Sequence, residues 1–569
     1  MIDFFRNSKI SHSILSITSG ILLYLAFPPA CMSQIAWFAL VPLLYVAIRT
    51  DGKQSFRYGL LCGMVFWLLN LSWLLMLGKT GAPIALACLG WFFLSLYCAG
   101  YVAVFAGCSS FVLKHTGSSR YSDAGNDYVS IGATAGRLTS VLLISVIWVG
   151  LEYIRSTFLT GFSWNQLGVS QFTSLVIIQI AGISGVFGVS MIIVLANIAI
   201  LFTGIRISRI MRRQKIGLIS LEPTLALIVI LGSFIFGLFV IKNSSAKNAD
   251  AQRITIVAIQ PCIEQCKKWP DRYELEICET LKRQTEYALL SRPELLVWPE
   301  TSLPTIFPNN PYAAAYLSQF ATNGSQLLFG ALEEGVVNGK TNLYNSSFLV
   351  ADGCRVMSGY RKRHLVPFGE YVPLSYTFTM LEKIAPLGFN CYPGLETVIM
   401  NAGSNSIPFS ALICFEDAYG YLARQAVKKG ARFLINQTND AWFDGTCASL
   451  QHMSHCVFRC VENSVPAVRC ANSGVTCFIT ETGIVDILRD EVGNEQAISN
   501  NGYSWIKSGA ISFEGFKLSE IRVSAYGKKM NLYTKYGDWM LALPCTVLTT
   551  IILAYIALRK LSKRHCAKA

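Results

Sequence analysis

The chain has 569 residues, 52% of them hydrophobic and only 14% charged, with a formal charge of +14 and 18 cysteines. Soluble proteins carry nearer a quarter charged residues, so a wholly soluble protein is excluded. The basic excess sits in the connections between apolar runs, which makes it a topological signal and excludes a nucleic-acid reading.

A bilayer core needs roughly 20 apolar residues per helix, and eight segments qualify as transmembrane helices. They centre on 14–27, 35–48, 58–77, 84–113, 140–153, 175–202, 225–241 and 539–558. Arg6 and Lys9 precede the first, giving it the look of a signal peptide that ends at Phe27-Pro28-Pro29-Ala30-Cys31. Two prolines do not suit a small-residue cleavage site, and a second apolar segment follows at once, so the segment reads as a retained helix. Arg49, Lys53 and Arg57 follow segment two; Lys114, Arg120 and Arg137 lie between four and five, in and beside a polar loop at 117–135. Arg206, Arg209, Arg212, Arg213 and Lys215 follow segment six, and Arg559, Lys560, Lys563, Arg564 and Lys568 form the tail. With the N-terminus inside, every cluster falls on the cytoplasmic side, while the alternate connections 28–34, 78–83 and 155–173 carry few charges. The expected division is a seven-helix membrane region at 1–242, an outer domain at 243–537, and a last helix with a basic tail at 538–569.

The outer domain begins after a polar linker at 242–253. Short apolar runs at 254–259, 295–298, 326–330, 345–350, 410–413, 433–436, 467–470 and 476–480 read as buried strands. Helical stretches at 271–290, 312–322, 418–429 and 449–463 alternate with some of them. Strands buried on both faces and interleaved with helices predict a layered α/β fold. Eleven of the cysteines fall in this domain with no regular spacing, and an odd number cannot all pair within it.

Three polar side chains close apolar runs, where α/β sheets present their ligands. Glu300 ends Leu-Leu-Val-Trp-Pro-Glu, Lys362 lies in Tyr360-Arg-Lys-Arg-His-Leu-Val-Pro-Phe-Gly-Glu370, and Cys414 follows Phe-Ser-Ala-Leu-Ile. A cysteine nucleophile works as its thiolate, so a base must take its proton and a cation should favour the charged form. Glutamate serves as the base. Lysine serves as the cation, and it can also hold the oxyanion of an attacked carbonyl. Singly, each residue has a plainer reading as a buried thiol, a turn carboxylate or a surface charge.

Together, in the order Glu, Lys, Cys, they resemble the nitrilase (carbon–nitrogen hydrolase) superfamily. With the membrane segments, the chain resembles that superfamily's apolipoprotein N-acyltransferase branch over nearly its whole length. The resemblance runs through Leu25-Ala-Phe-Pro-Pro29 with Ala36-Trp-Phe-Ala-Leu-Val-Pro-Leu-Leu44, and Gly161-Phe-Ser-Trp-Asn-Gln-Leu-Gly168. It continues through Ile259-Gln-Pro261, Lys268-Trp269, Val297-Trp-Pro-Glu300, Tyr344-Asn345, His364-Leu-Val-Pro-Phe-Gly-Glu370, Cys414-Phe-Glu416 and Asn439-Asp-Ala-Trp-Phe443.

The resemblance implies an α-β-β-α sandwich on the periplasmic side of a bacterial inner membrane, in a monomer. It implies ping-pong acyl transfer: Cys414 takes an acyl chain from a membrane phospholipid as a thioester, then yields it to the N-terminal amine of a diacylglyceryl-cysteine lipoprotein. Glu300 is the implied base and Lys362 the oxyanion partner, with Glu370 and Glu416 supporting them. Trp269, Asn345 and Trp442 are the implied substrate-side residues. No metal or organic cofactor is implied.

Two features depart from the family pattern. Phe415 stands where tyrosine is frequent, and Asp444-Gly445 reverses the usual order after Trp442-Phe443. His452, Cys456 and Cys460 share a helix face at i, i+4 and i+8, a spacing zinc could use, but small cysteines on the buried face of a packed helix are the more common cause, and the reading taken is no metal. His364 reads as structural, since Glu300 already supplies a base. Two rival functions stay open on the residues alone: a membrane-tethered amidase with water as acceptor, and a transporter with an outer binding domain.

Overall fold

The computed structural model describes residues 8–117, 131–211, 221–247, 251–321, 324–337, 339–373, 390–488, 512–523 and 530–566. Most of the polar loop at 117–135, with Arg120, lies outside them, as do Arg6, Arg212, Arg213, Lys215 and Lys568. The chain separates into two compact units. One is helical (Met1–Ser72, Leu89–Phe239, Tyr536–Ala569); the other is α/β (Trp73–Cys88, Val240–Lys535).

Five helices among the described residues are long and apolar enough to cross a membrane: Ile84–His115, Gly132–Thr160, Val186–Met211, Leu221–Ser244 and Leu532–Ser562. A sixth span results if Gly52–Asn70 and Ser72–Gly78 form one broken crossing. The eight apolar segments therefore do not become eight long helices. In the second segment a 3₁₀ turn (Ser33–Trp37) stops before a helix of only 9 residues, Val41–Arg49. Pro42 sits in that helix's first turn, the helical position that tolerates proline. Nine residues rise about 14 Å, against a hydrocarbon core of about 30 Å.

Breaks of this kind leave backbone groups without helical partners, and a neighbouring helix supplies them. Asn197, fully buried on Val186–Met211, accepts from Leu40 N–H at 2.8 Å and donates to the Ala36 carbonyl at 2.9 Å. Gln171 does likewise for the Ser33 carbonyl, at 2.8 Å. Close packing of helices depends on small residues. A Cβ added at Gly63 would lie 2.8 Å from Ala99 Cα, and one at Gly59 only 2.7 Å from the Val102 carbonyl. Glycines four apart facing small residues let two backbones approach within van der Waals range.

The α/β unit contains two six-stranded sheets. The first runs β12 (Gly515–Val523), β1 (Gln252–Gln260), β2 (Leu295–Val297), β3 (Gln326–Val337), β4 (Lys340–Ala351), β5 (Arg355–Arg361). The second runs β11 (Val485–Ile487), β10 (Cys477–Ile479), β9 (Ala467–Ala471), β8 (Phe433–Thr438), β7 (Ile407–Ile413), β6 (Met400–Ala402). Strands β1–β3 are mutually parallel, as are β7–β9. Alternation along each strand builds the layers. Ile254, Ile256 and Ala258 join Phe409, Ala411, Ile413, Phe433 and Ile435 in one core shared by the two sheets. The intervening Val257 and Ile259 pack with Trp298 and with Ile277 and Leu281 of helix Glu274–Leu289. Helices Gly420–Lys428 and Ala448–Asn463 serve the second sheet. The architecture is an α-β-β-α sandwich.

Residues 73–88 belong with this α/β unit. The Trp73 ring meets Phe443 edge-on at 4.5 Å, and its indole N–H donates to Gln451 at 3.1 Å.

If the glycine contact is as close as described, Gly63→Leu should destabilise the helical unit by about 1–3 kcal/mol through overpacking. A lowered thermal midpoint of the full chain in detergent would show it. An unchanged midpoint would mean that the helices are not packed backbone to backbone.

Candidate active site

Glu300, Lys362 and Cys414 each follow the C-terminal end of a strand: β2, β5 and β7 respectively. Cys414 opens a 3₁₀ turn, Cys414–Ala418, with φ +54, a left-handed conformation that costs a non-glycine residue about 1–2 kcal/mol. Such a turn lifts a side chain clear of its strand, and the thiol is half-buried. Strain of this order persists only where neighbours over-determine the backbone. Here the Cys414 carbonyl accepts from Asn436 Nδ2 at 3.0 Å and faces His452 Nε2 at 3.1 Å.

Glu416 holds the strand ends together. Its buried carboxylate accepts from Ile413 N–H (2.8 Å) on β7 and from Arg363 N–H (2.7 Å) and His364 N–H (3.1 Å) just beyond β5. The Tyr360 hydroxyl donates to it as well, at 2.9 Å. One side chain thus joins the first sheet to the second, next to both Lys362 and Cys414. Gln437 adds a second tie, donating from β8 to the Trp298 carbonyl at 2.6 Å, two residues before Glu300.

Between these ties lies a compact charge cluster. Lys362, 1% exposed, donates to Glu300 Oε1 at 3.2 Å and to Glu370 Oε1 at 2.9 Å. Asn345 Nδ2 donates to the same two oxygens, at 2.8 Å each. Glu370 Oε2 accepts from Val366 N–H at 2.8 Å, which fixes the far side of that carboxylate. Burial pushes the Glu300 carboxyl up, but Lys362, Lys268 and the Asn345 and Cys414 hydrogen bonds outweigh it and hold it below the usual range. Burial depresses Lys362, yet Glu300 and Glu370 hold it well above its ordinary value, so its charge is secure. Cys414 is the opposite case: burial and then the Glu300 charge push its thiol up, Lys362 only partly offsetting them. At rest the site contains an ion pair and a neutral thiol.

The other residues singled out from sequence divide. Asn345 joins the centre. Trp269 and Trp442 are each 37% exposed, on loops tied together by Asn439, which donates to Gln265 at 2.7 Å. His364 stacks on Tyr419 at 3.6 Å between centroids, and burial with the Lys362 charge lowers it to about 4, so it is a neutral ring. Phe415 packs edge-on against Tyr419 at 5.2 Å. The Asp444-Gly445 order suits a tight turn: Gly445 takes φ +75, and Asp444 accepts from Gly445 N–H at 3.0 Å. The ring nitrogens of His452 face Asp440, Asp417 and the Cys414 carbonyl instead of the cysteines on its own helix. Among the described residues no group of three His, Cys, Asp or Glu has a metal-binding arrangement.

Sequence reasoning missed Lys268 as a participant. It is buried, donates to the Glu300 carbonyl at 2.9 Å, and is lowered to about 8 by burial against the pull of Glu300 and Cys414. It missed Asp417, Asp440 and Arg469 as well. The one available signal was a charge, Arg469, inside an apolar run that otherwise reads as a buried strand.

The sign of the thiol's electrostatics is testable. Below its pKa a thiol is more reactive the lower that pKa lies, and Glu300 raises that of Cys414. Glu300→Gln should therefore speed iodoacetamide alkylation of Cys414 at pH 8 by about 3–10-fold, equivalent to a fall of half to one pKa unit. Peptide-resolved mass spectrometry reads the rate. A slower or unchanged rate would mean that the carboxylate does not restrain the thiol.

Sequence relationships agree with this architecture. Residues 19–199 match the apolipoprotein N-acyltransferase N-terminal domain, and residues 254–508 match the carbon-nitrogen hydrolase family. An apolipoprotein N-acyltransferase of Geobacter metallireducens is 31% identical over 566 residues, covering 97% of this chain and 96% of that protein. Apolipoprotein N-acyltransferase 1 of Treponema denticola is 27% identical, covering 94% and 93%. The Haemophilus influenzae apolipoprotein N-acyltransferase is also 27% identical, covering 83% and 85%. With its apolar helices and its two-sheet hydrolase unit, the chain belongs to the apolipoprotein N-acyltransferase family.

Proposed function

We propose that this membrane enzyme transfers a fatty acyl chain from a phospholipid to the N-terminal amine of a diacylglyceryl-cysteine lipoprotein, with Cys414 as nucleophile. The observation that supports the reading best is the convergence of a half-buried thiol, a carboxylate and a lysine at three strand ends, with Lys362 donating to Glu300 at 3.2 Å.

The chemistry follows from the charges. Cys414 Sγ attacks the ester carbonyl of the phospholipid while its proton passes to Glu300. Negative charge moves onto the carbonyl oxygen, where Lys362 and the backbone N–H of Phe415 receive it. The carbon–oxygen bond breaks, Glu300 returns the proton to the departing alkoxide, and a lysophospholipid leaves a thioester on Cys414. The lipoprotein amine then attacks the thioester, Glu300 takes its proton, and the thiolate departs as leaving group. Glu370 and Asn345 keep Lys362 and Glu300 in register throughout. Trp269 and Trp442 flank the incoming lipids on the loops joined by Asn439.

The same reading sets the topology. Eight crossings, seven before an outer domain at 243–537 and one after it, put that domain on the periplasmic side of the inner membrane, with the basic tail of 538–569 in the cytoplasm. The side does not depend on the first two apolar segments, Lys9–Leu25 and Ser33–Arg49. Counted as two crossings or as none, they leave an odd number before the domain, provided the broken pair Gly52–Asn70 and Ser72–Gly78 crosses once. Placement at the interface has an energetic basis, because drawing an acyl chain into water costs about 0.8 kcal/mol per CH₂. We propose a monomer, with no cofactor taking part.

Purified protein incubated with phospholipid alone should gain the mass of one acyl chain on Cys414. Adding a diacylated lipopeptide with a free amino terminus should discharge that adduct onto the peptide. The Cys414→Ser variant should show neither step. Absence of the adduct, or its discharge to water alone, would overturn the proposal in favour of a hydrolase.

A further inference from the structure

A second charge cluster reaches Cys414 through its main chain. Asp417, Asp440, His452 and Arg469 are all buried and come from four separate elements: the turn after β7, the 3₁₀ turn Asp440–Phe443, the helix Ala448–Asn463 and β9. Arg469 donates to Asp417 Oδ2 and to Asp440 Oδ2, each at 2.8 Å. The other oxygens of the two carboxylates face the imidazole. His452 Nδ1 lies 2.9 Å from Asp440 Oδ1, and Nε2 lies 3.0 Å from Asp417 Oδ1 and 3.1 Å from the Cys414 carbonyl.

Asp440 Oδ1, Asp417 Oδ1 and the Cys414 carbonyl oxygen are all acceptors, the first and last in hydrogen-bond geometry and Asp417 as an ion-pair contact. A neutral imidazole could donate from one nitrogen only, leaving a lone pair against a carboxylate. With both protons on the ring, two carboxylates meet two cations and the buried cluster is neutral. The charged groups around the ring are Asp417, Asp440 and Arg469, with Glu300 and Lys362 beyond Cys414. Burial and Arg469 lower the imidazole's pKa, but the two aspartates outweigh them and bring it to about 9.

The cluster also touches the thiol. Thr438 Oγ1 is 3.1 Å from Asp440 Oδ1 and 3.4 Å from Cys414 Sγ, so its single hydroxyl proton can turn from the aspartate to the sulfur as negative charge appears there.

We infer that His452 is a positioning residue for acyl transfer: as an imidazolium braced by Asp417 and Asp440, it grips the Cys414 carbonyl beside Asn436 and holds the nucleophile in its left-handed turn. That turn directs both the thiol and the N–H of the next residue, so a shift at the carbonyl misplaces nucleophile and oxyanion donor together. The inference rests on Cys414 being the nucleophile.

The test uses the full-length enzyme in detergent micelles with phospholipid, following single-turnover acylation of Cys414 by mass spectrometry across pH. His452→Gln should lose on the order of 100-fold in the acylation rate at saturating phospholipid, the size of effect that misplacement of a reacting group by about 1 Å produces. Its half-saturating phospholipid concentration should stay within about threefold of wild type, and Cys414 should still react with iodoacetamide. Asp440→Asn weakens the brace, so the imidazolium loses its proton at lower pH, and the alkaline fall in rate should move down by about one pH unit or more. A merely structural role would lower the thermal midpoint and leave the pH profile in place. Near wild-type acylation in His452→Gln, or an unmoved profile in Asp440→Asn, would overturn the inference. If His452→Gln does not fold, the Asp440→Asn profile decides. Failure of wild type to form any adduct would instead remove the nucleophile itself.

Discussion

The Lys362 ammonium, wedged between the carboxylates of Glu300 and Glu370, is the interaction on which the site depends. A buried lysine would shed its proton if it stood alone, and a buried carboxylate would gain one. Held within 3.2 Å of each other, with Asn345 donating to both carboxylates, they keep their charges instead. A buried ion pair of this kind contributes little net stability, yet removing one partner strands the other. That makes the cluster demanding of its scaffold. Glu416 and Gln437 meet the demand by linking the ends of strands from two different sheets, so the charges sit where two rigid layers meet and not on a loop.

The backbone of Cys414 follows the same logic. A left-handed residue at the end of a buried strand is costly in isolation, and the alternation that packs Ile407, Phe409, Ala411 and Ile413 into the core would otherwise continue through it. The turn breaks that alternation and keeps the thiol at the edge of the core between the sheets instead of on the opposite face. Its carbonyl is then held by groups from β8 and from the helix Ala448–Asn463, elements that the sheet's parallel order brings beside β7.

How much of this could be read in the sequence follows from the range of each signal. Glu300, Lys362 and Cys414 were legible because each interrupts or follows an apolar run, and their meeting point follows once the strands are known to be parallel. Asn345 was legible only through resemblance, since nothing in Tyr-Asn distinguishes it from any strand residue. Eight apolar segments correspond to five or six helices of spanning length among the described residues, partly because hydropathy does not register that Pro42 and the 3₁₀ turn before it divide one apolar stretch into pieces. Arg469, Asp417 and Asp440 escaped because their partners lie 29 to 52 residues away, beyond any periodic pattern. The partners of His452 escaped for the same reason. Its spacing to Cys456 and Cys460 is conspicuous, while its actual partners come from other elements.

The raised thiol poses a question that the charge cluster answers. A nucleophile is expected to have a depressed pKa, and Cys414 has the reverse. Moving a thiol proton onto Glu300, however, leaves the total charge of the site unchanged: one anion disappears as another forms within reach of the same lysine. The cluster need not stabilise a resting thiolate, only the exchange. On the periplasmic face proposed for this domain, the neutral thiol would also have a chemical advantage, because susceptibility to oxidation follows thiolate character and exposure. A low-pKa cysteine would be a standing target there. In the reaction proposed above, the sulfur stays protonated until an acyl carbonyl arrives, when Lys362 meets the charge that leaves sulfur for oxygen and the transfer to Glu300 becomes favourable.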